Sequence, residues 1–265
     1  MQHRPRKRFG QNFLRDAQVI EKIVRSVNPA GQQSIVEIGP GQGAITRGLV
    51  ASGARVSAIE IDRDLAARLQ QAFAHADNFQ LHEADALRFV FSSLRLVAGR
   101  LRIVGNLPYN ISTPLIFHLL QAGDLIDDMH FMLQKEVVER LAAQPGNGDY
   151  GRLSVMVQYH CQVMPLFEVP PGAFFPAPKV DSAVVRLVLR RHIATPSRNT
   201  RVLGQVVNAA FGQRRKTLRN ALRALIDEGA LTSLGIDSKM RAENLSLEDF
   251  VTISNALPGG APHGQ

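Results

Sequence analysis

The 265-residue chain holds a single cysteine, Cys161, so it cannot form an internal disulfide. No group of histidines and cysteines has the spacing of metal ligands, which argues against a zinc site. His160 and Cys161 are neighbours in a run that reads as a strand, which would send them to opposite faces. The lone thiol is then expected to be a buried packing residue. No apolar run approaches the length of a membrane span. The first residues are basic (Arg4, Arg6, Lys7, Arg8), yet Phe9-Gly10-Gln11-Asn12 stands where a secretory signal would have its apolar stretch. The expectation is a soluble cytoplasmic protein with no membrane attachment and no metal. Internal repeats are also lacking, as is any His/Asp or Cys/His arrangement suited to nucleophilic catalysis.

Negative charge is in short supply. Lysine and arginine total 31 against 23 acidic residues, a net charge of +8. Such a surplus favours a polyanionic partner, either nucleic acid or an anionic surface. Hydrophobic residues make up 45% of the chain, enough to bury the core of one large α/β domain with a small appendage.

Residues 16–27 read as an amphipathic helix, with Ala17, Ile20, Ile23, Val24 and Val27 on one face and Asp16 as N-cap. Strands and helices then alternate. Strands are expected at Ser34–Ile38, Arg55–Ile59, Phe79–His82, Leu101–Val104 and His130–Leu133. Helices are expected from about Ala44, along Leu65, Leu69 and Phe73, from Thr113 as N-cap with Pro114 in the first turn, and around Val137–Leu141. This alternation predicts a mostly parallel sheet covered on both faces, an α/β Rossmann-like fold. After the loop Pro145–Gly151, two β-rich runs, Leu153–Met164 and Ser182–Arg190, flank the proline-rich stretch Pro170–Pro178. They suggest an antiparallel edge hairpin. The polar residues 192–200 look like a hinge, and only helical patterns follow. The expected domains are therefore 1–191 (catalytic) and 200–257 (helical, docking RNA), with 258–265 as a disordered tail.

The first candidate site is Glu37-Ile38-Gly39-Pro40-Gly41-Gln42-Gly43-Ala44. A glycine turn between strand and helix lets backbone approach a ligand and aims helix N–H groups at it. Glu60 ends the next strand, 21 residues after Gly39, where a carboxylate can accept from ribose hydroxyls. Asp85 follows the third strand, placed to accept from an adenine amino group. Gly39-x-Gly41-x-x-Ala44 also satisfies the dinucleotide fingerprint, so a dehydrogenase stays open here. Glu37 favours a cationic ligand such as the methionine end of S-adenosylmethionine over a pyrophosphate, which it would repel.

The fourth strand ends in Gly105-Asn106-Leu107-Pro108-Tyr109, residue types that fit one chemical problem. The N6 lone pair of adenine is delocalised into the ring and is a poor nucleophile. The Asn106 amide oxygen and the Leu107 carbonyl can each accept one N6–H bond, drawing the lone pair out of conjugation. Pro108 stiffens the turn and Tyr109 offers a flat surface to the base. The base must be extruded from its helix to arrive there. Phe174, in the rigid stretch Gly172–Pro178, is the candidate to cover its other face. No strong general base is needed, because the methylated amine loses its proton readily.

Phe211–Arg223 reads as one continuous helix, with Val207, Phe211, Leu218, Leu222 and Leu225 turned inward. Arg215, Arg219 and Arg223 then form an i, i+4, i+8 stripe. No acidic residue follows until Asp227, so the stripe is expected to grip RNA phosphates.

Taken together, these motifs resemble the ribosomal RNA small-subunit adenine dimethyltransferases over about residues 6–255. Arg8-Phe9-Gly10-Gln11-Asn12-Phe13-Leu14 resembles that family's N-terminal motif. Glu37–Gly43, Glu60, Asp85 and Asn106–Tyr109 follow in family order, and Tyr150–Val155 and Phe174–Ser182 complete it. The resemblance implies a class I methyltransferase fold with a seven-stranded sheet and a small helical C-terminal domain. It implies that Asn12, Leu14, Gly39, Glu60, Asp85 and Asn106 contact S-adenosylmethionine, joined by Glu37 and Gly41 from the loop. It further implies that Asn106–Tyr109 and Phe174 hold the target base. The substrate it implies is a pair of adjacent adenosines near the 3′ end of 16S rRNA within the small ribosomal subunit, and the enzyme is expected to be a monomer. Two other readings stay open: a methyltransferase acting on large-subunit rRNA, and a non-catalytic nucleic-acid-binding protein on the same fold.

Overall fold

The computed structural model describes residues 11–94, 99–213 and 215–258. The basic residues Arg4–Arg8, Phe9, Gly10 and the tail beyond Pro258 lie outside the described residues. The chain divides into two compact units: 1–138 with 162–189, and 139–161 with 190–265.

In the first unit, β1 (Phe13–Leu14) leads to α1 (Ala17–Val27), capped as expected by Asp16, which accepts from the N–H groups of Gln18 and Val19 at 2.9 and 3.1 Å. There follow β2 (Ser34–Ile38), α2 (Thr46–Ala51), β3 (Arg55–Glu60), α3 (Arg63–Ala72) and β4 (Phe79–Glu83). After them come β5 (Leu101–Asn106), α4 (Ser112–Gln121) and β6 (Ile126–Gln134), from which α5 (Lys135–Ala142) leads into the second unit. Among the described residues the main sheet has seven strands in the order β4-β3-β2-β5-β6-β9-β7. Here β7 is Cys161–Val169, and β9 (Ser182–Leu189) follows β8 (Phe174–Phe175). Strands β2 to β6 pair in parallel, and β9 runs antiparallel to β6. All five residues of β2 are buried, which is why this strand reads as an apolar run without alternation.

The chain moves outward from β2 through β3 to β4, then returns to lay β5 on the other side of β2. The strand order reverses between β2 and β5, and the crevice outside their carboxyl ends is where open α/β sheets bind ligands. Gly105 permits this pairing: a Cβ there would lie 2.8 Å from the Ile38 carbonyl oxygen.

Four expectations about the fold need correction. The run predicted as a strand from Leu153 begins as α6 (Arg152–His160), and the strand starts only at Cys161. The Gly151 N–H donates to Ser154 Oγ at 3.0 Å at the helix start, and Val155, Met156, Val157 and Tyr159 are all buried. A helix buried on most sides has no amphipathic period to reveal it. Second, residues 139–161, expected within the 1–191 domain, group with the second unit. In the second unit α6 packs on α7 (Thr200–Gly212) and on the last helix, Leu247–Ala256. Third, α4 starts two residues earlier than expected, at Ser112, with Thr113 and Pro114 inside its first turn. Cys161 is fully buried, and burial pushes its thiol up to about 12.

The second unit continues with α8 (Leu218–Ala221), α9 (Glu228–Ser233) and α10 (Leu247–Ala256). Fourth, the continuous helix expected across 211–223 is absent. α7 ends at Gly212, and the N–H groups of Leu218 and Arg219 donate to the carbonyls of Met240 and Ser238 at 2.8 and 3.1 Å. Those donors are unavailable to a helix running through, so a new short one starts. No helix among the described residues is long and apolar enough to cross a membrane.

Candidate active site

The glycine turn after β2 needs backbone that only glycine adopts readily: Gly39, Gly41 and Gly43 have φ of +65°, +59° and +75°. The turn is fixed from β3, since Gly39 N–H donates to the Ile59 carbonyl at 2.9 Å and Gly41 N–H to Glu60 Oε2 at 3.1 Å. Glu60 Oε1 accepts from Asp62 N–H at 2.9 Å. Burial raises the Glu60 carboxyl, while the N–H groups of Asp62 and Gly41 pull it back down.

Glu37 is 2% exposed, and its Oε2 has no hydrogen-bond partner. Burial raises its carboxyl to about 7, with the Glu60 charge adding to the effect. Asp85 turns at the end of β4, its Oδ1 accepting from Leu87 N–H at 3.0 Å. A cavity at the carboxyl ends of β2 to β5 is lined by all three carboxylates, and among the described lining residues there is no lysine, arginine or histidine. A buried carboxylate with an unpartnered oxygen, in a cavity whose described lining carries no cation, fits a positively charged ligand and would repel a pyrophosphate.

The predicted cofactor residues Asn12, Leu14, Glu37, Gly39, Gly41, Glu60, Asp85 and Asn106 all line this one cavity, together with Leu107, Pro108 and Tyr109. Asn106 Nδ2 donates to the Asn12 carbonyl at 3.1 Å, which leaves Oδ1 as the acceptor face of the amide. The turn behind it is tied down by Ile111 N–H on the Pro108 carbonyl and Ser112 Oγ on the Tyr109 carbonyl, at 3.1 and 3.2 Å. Tyr109 OH lies 3.0 Å from Ser182 Oγ, linking the tetrapeptide to the end of the proline-rich motif. Sequence reasoning gave Ser182 no role, since nothing local connects it to Tyr109.

Phe174 is not brought to the cavity. β1 and β8 form a two-stranded antiparallel ribbon that pairs Phe13 with Phe175 and Leu14 with Phe174. Alternation sends the two phenylalanines to opposite faces. Phe174 is 6% exposed and packs in a core cluster with Leu14, Ile23 and Val169. Phe175 is 50% exposed, with the Arg15 guanidinium 4.2 Å over its ring. For Phe174 to cover an extruded base, its ring would have to leave that cluster.

The chain matches the family model of ribosomal RNA adenine dimethylases over residues 2–258. It belongs to that family. The ribosomal RNA small subunit methyltransferase A of Pseudomonas fluorescens is 58% identical over 256 residues, covering 97% of this chain and 95% of that protein. The protein of the same name from Pseudomonas aeruginosa is 57% identical, with 97% and 96% covered. Among solved structures, a dimethyladenosine transferase from Plasmodium falciparum aligns with a TM-score of 0.80 at 25% identity, over 91% of this chain and 95% of that one. The 23S rRNA methyltransferase ErmE aligns at 0.70 and 26% identity, over 92% and 98%. The fold is that of a class I methyltransferase, as expected.

Arg215, Arg219 and Arg223 are exposed, but they do not form a stripe on one helix. Arg215 precedes α8, Arg219 lies on it and Arg223 follows it. Arg219 also comes within 3.5 Å of Glu228, a neutralising partner that the linear reading missed.

Proposed function

We propose that the chain transfers two methyl groups to N6 of each of two adjacent adenosines near the 3′ end of 16S rRNA, acting as a monomer on cytoplasmic small subunits. The methyl donor is S-adenosylmethionine, which supplies an electrophilic methyl on its sulfonium when bound. The observation that carries this reading is the commitment of Asn106 Nδ2 to the Asn12 carbonyl at 3.1 Å. It fixes the amide so that Oδ1 accepts an N6–H bond, and the Leu107 carbonyl takes the other. Two acceptors on one exocyclic amine hold it in the geometry in which its lone pair is available, without a proton being removed first. Tyr109, held through Ser182, supports the face of the base. Glu37 and Glu60 bind the donor's cationic and ribose ends, and Asp85 accepts from its adenine amino group.

Identity near 58% to proteins named for the small subunit, against 26% to a 23S rRNA methyltransferase, supports small-subunit rRNA as substrate. The Arg215, Arg219 and Arg223 side chains are assigned to rRNA phosphates. The test is transfer of labelled methyl to purified unmethylated small subunits and, in parallel, to purified large subunits, followed by nucleoside identification. N6,N6-dimethyladenosine at two adjacent positions is expected. Label confined to large-subunit RNA, or no transfer at all, would overturn the assignment.

A further inference from the structure

The segment that carries the Asn12 carbonyl is held on one side by the pairing of β1 with β8. β1 is only two residues long, and Asn12 precedes it. On its other side a side chain helps to pin it: Gln11 Nε2 donates to Asp62 Oδ2 at 3.1 Å. Asp62 is fully buried, and its other oxygen, Oδ1, caps α3 by accepting from Asp64 N–H at 3.1 Å. Its own N–H donates to Glu60 Oε1 at 2.9 Å. Glu60, Asp62, Gln11, Asn12 and Asn106 therefore form one connected set of contacts from the end of β3 to the end of β5.

The geometry points to Gln11 as a positioning residue for methyl transfer: by fastening residue 11 to Asp62 it holds the Asn12 carbonyl where it fixes the Asn106 amide. A primary amide has two similar ends, and nothing intrinsic decides which faces a substrate. The acceptor supplied by Asn12 makes that decision, so releasing the segment lets the amide rotate and present N–H groups to an amine that needs acceptors. The inference rests on the reading of Asn106 as the group that orients N6.

The experiment is a double-mutant cycle on single-turnover methylation of unmethylated small subunits at saturating S-adenosylmethionine, using Gln11→Leu, Asn106→Ala and both together. Saturation removes any effect that arises only from weaker cofactor binding. Gln11→Leu should slow transfer by about tenfold, the scale of losing one hydrogen bond to a charged group. It should cause no further loss in the Asn106→Ala background, because the group it positions is gone. An equal fall in both backgrounds, or no fall in the wild-type background, overturns the proposal. If Asn106→Ala itself keeps the wild-type rate, the reading of Asn106 fails and takes this one with it, a result distinct from the other two. A second pair of variants guards against misfolding. Gln11→Glu sets a carboxylate against Asp62 and should be slow. Adding Asp62→Asn reverses donor and acceptor while keeping the α3 cap, and should restore most of the rate; failure of the swap to restore it counts against the tether.

Discussion

Changing Glu37 to glutamine separates what this carboxylate costs from what it does. In the cofactor-free protein, burial holds it at about 7, against an ordinary value of 4.5. A folded value above the unfolded one means that Glu37 contributes stability fully present below pH 4.5 and lost as pH rises through 7. At about 1.36 kcal/mol per pH unit, that interval corresponds to roughly 3 kcal/mol lost by pH 8. Glutamine keeps the shape and cannot ionise, so the variant should retain what the wild type gives up. Denaturation without cofactor should show a small difference at pH 5, opening in favour of Glu37→Gln to as much as about 3 kcal/mol at pH 8. Cofactor binding should show the opposite preference. A cationic ligand selects the ionised carboxylate, so titration calorimetry on the wild type should find affinity about tenfold lower at pH 6 than at pH 8, with proton release on binding. The variant should bind weakly and without that dependence. A variant no more stable than wild type at pH 8, together with a flat wild-type binding profile, would refute the argument.

Three further outcomes concern the target base and the RNA. Tyr109→Ala should weaken productive binding by the roughly 1–3 kcal/mol that base stacking is worth, read as a lower single-turnover rate at limiting RNA. Phe174→Ala should instead show chiefly in the melting curve, as a core loss of about 3–5 kcal/mol, with methylation by the folded variant close to wild type; a loss of methylation with stability unchanged would return the clamp to Phe174. Replacing Arg215, Arg219 and Arg223 together with glutamine should flatten log affinity for small subunits against log salt by roughly two units, at about 0.7–0.9 per lost phosphate contact. Cofactor affinity should be unaffected, and an unchanged salt slope in the folded variant would remove these arginines from the RNA interface.

How much of this was legible in the sequence differs from element to element. β2, β3 and β5 were found because parallel central strands are apolar runs ended by the glycine turn, Glu60 and Asn106, and those same ends build the cavity. The α6 segment was read as strand because its β-branched residues are buried on most sides of a helix, so local propensity pointed away from the tertiary outcome. The break before α8 depends on carbonyls of Ser238 and Met240, some twenty residues away, and no local pattern announces them. Phe174 and Phe175 could not be told apart, because the facing of a two-residue strand is set by its pairing with Phe13 and Leu14. Gln11 stood inside the N-terminal motif, yet its partner Asp62 lies 51 positions away and emerges only when β3 meets that segment.

The central claim is that the Asn106 amide oxygen orients the N6 amine, and Asn106→Ala in single turnover addresses it most directly. With unmethylated small subunits and saturating S-adenosylmethionine, the variant should transfer methyl about 10²–10³-fold more slowly, as expected when one preorganised transition-state hydrogen bond is lost. Its affinity for the subunit should stay close to wild type. A variant that binds the subunit normally and methylates it at the wild-type rate would contradict the account.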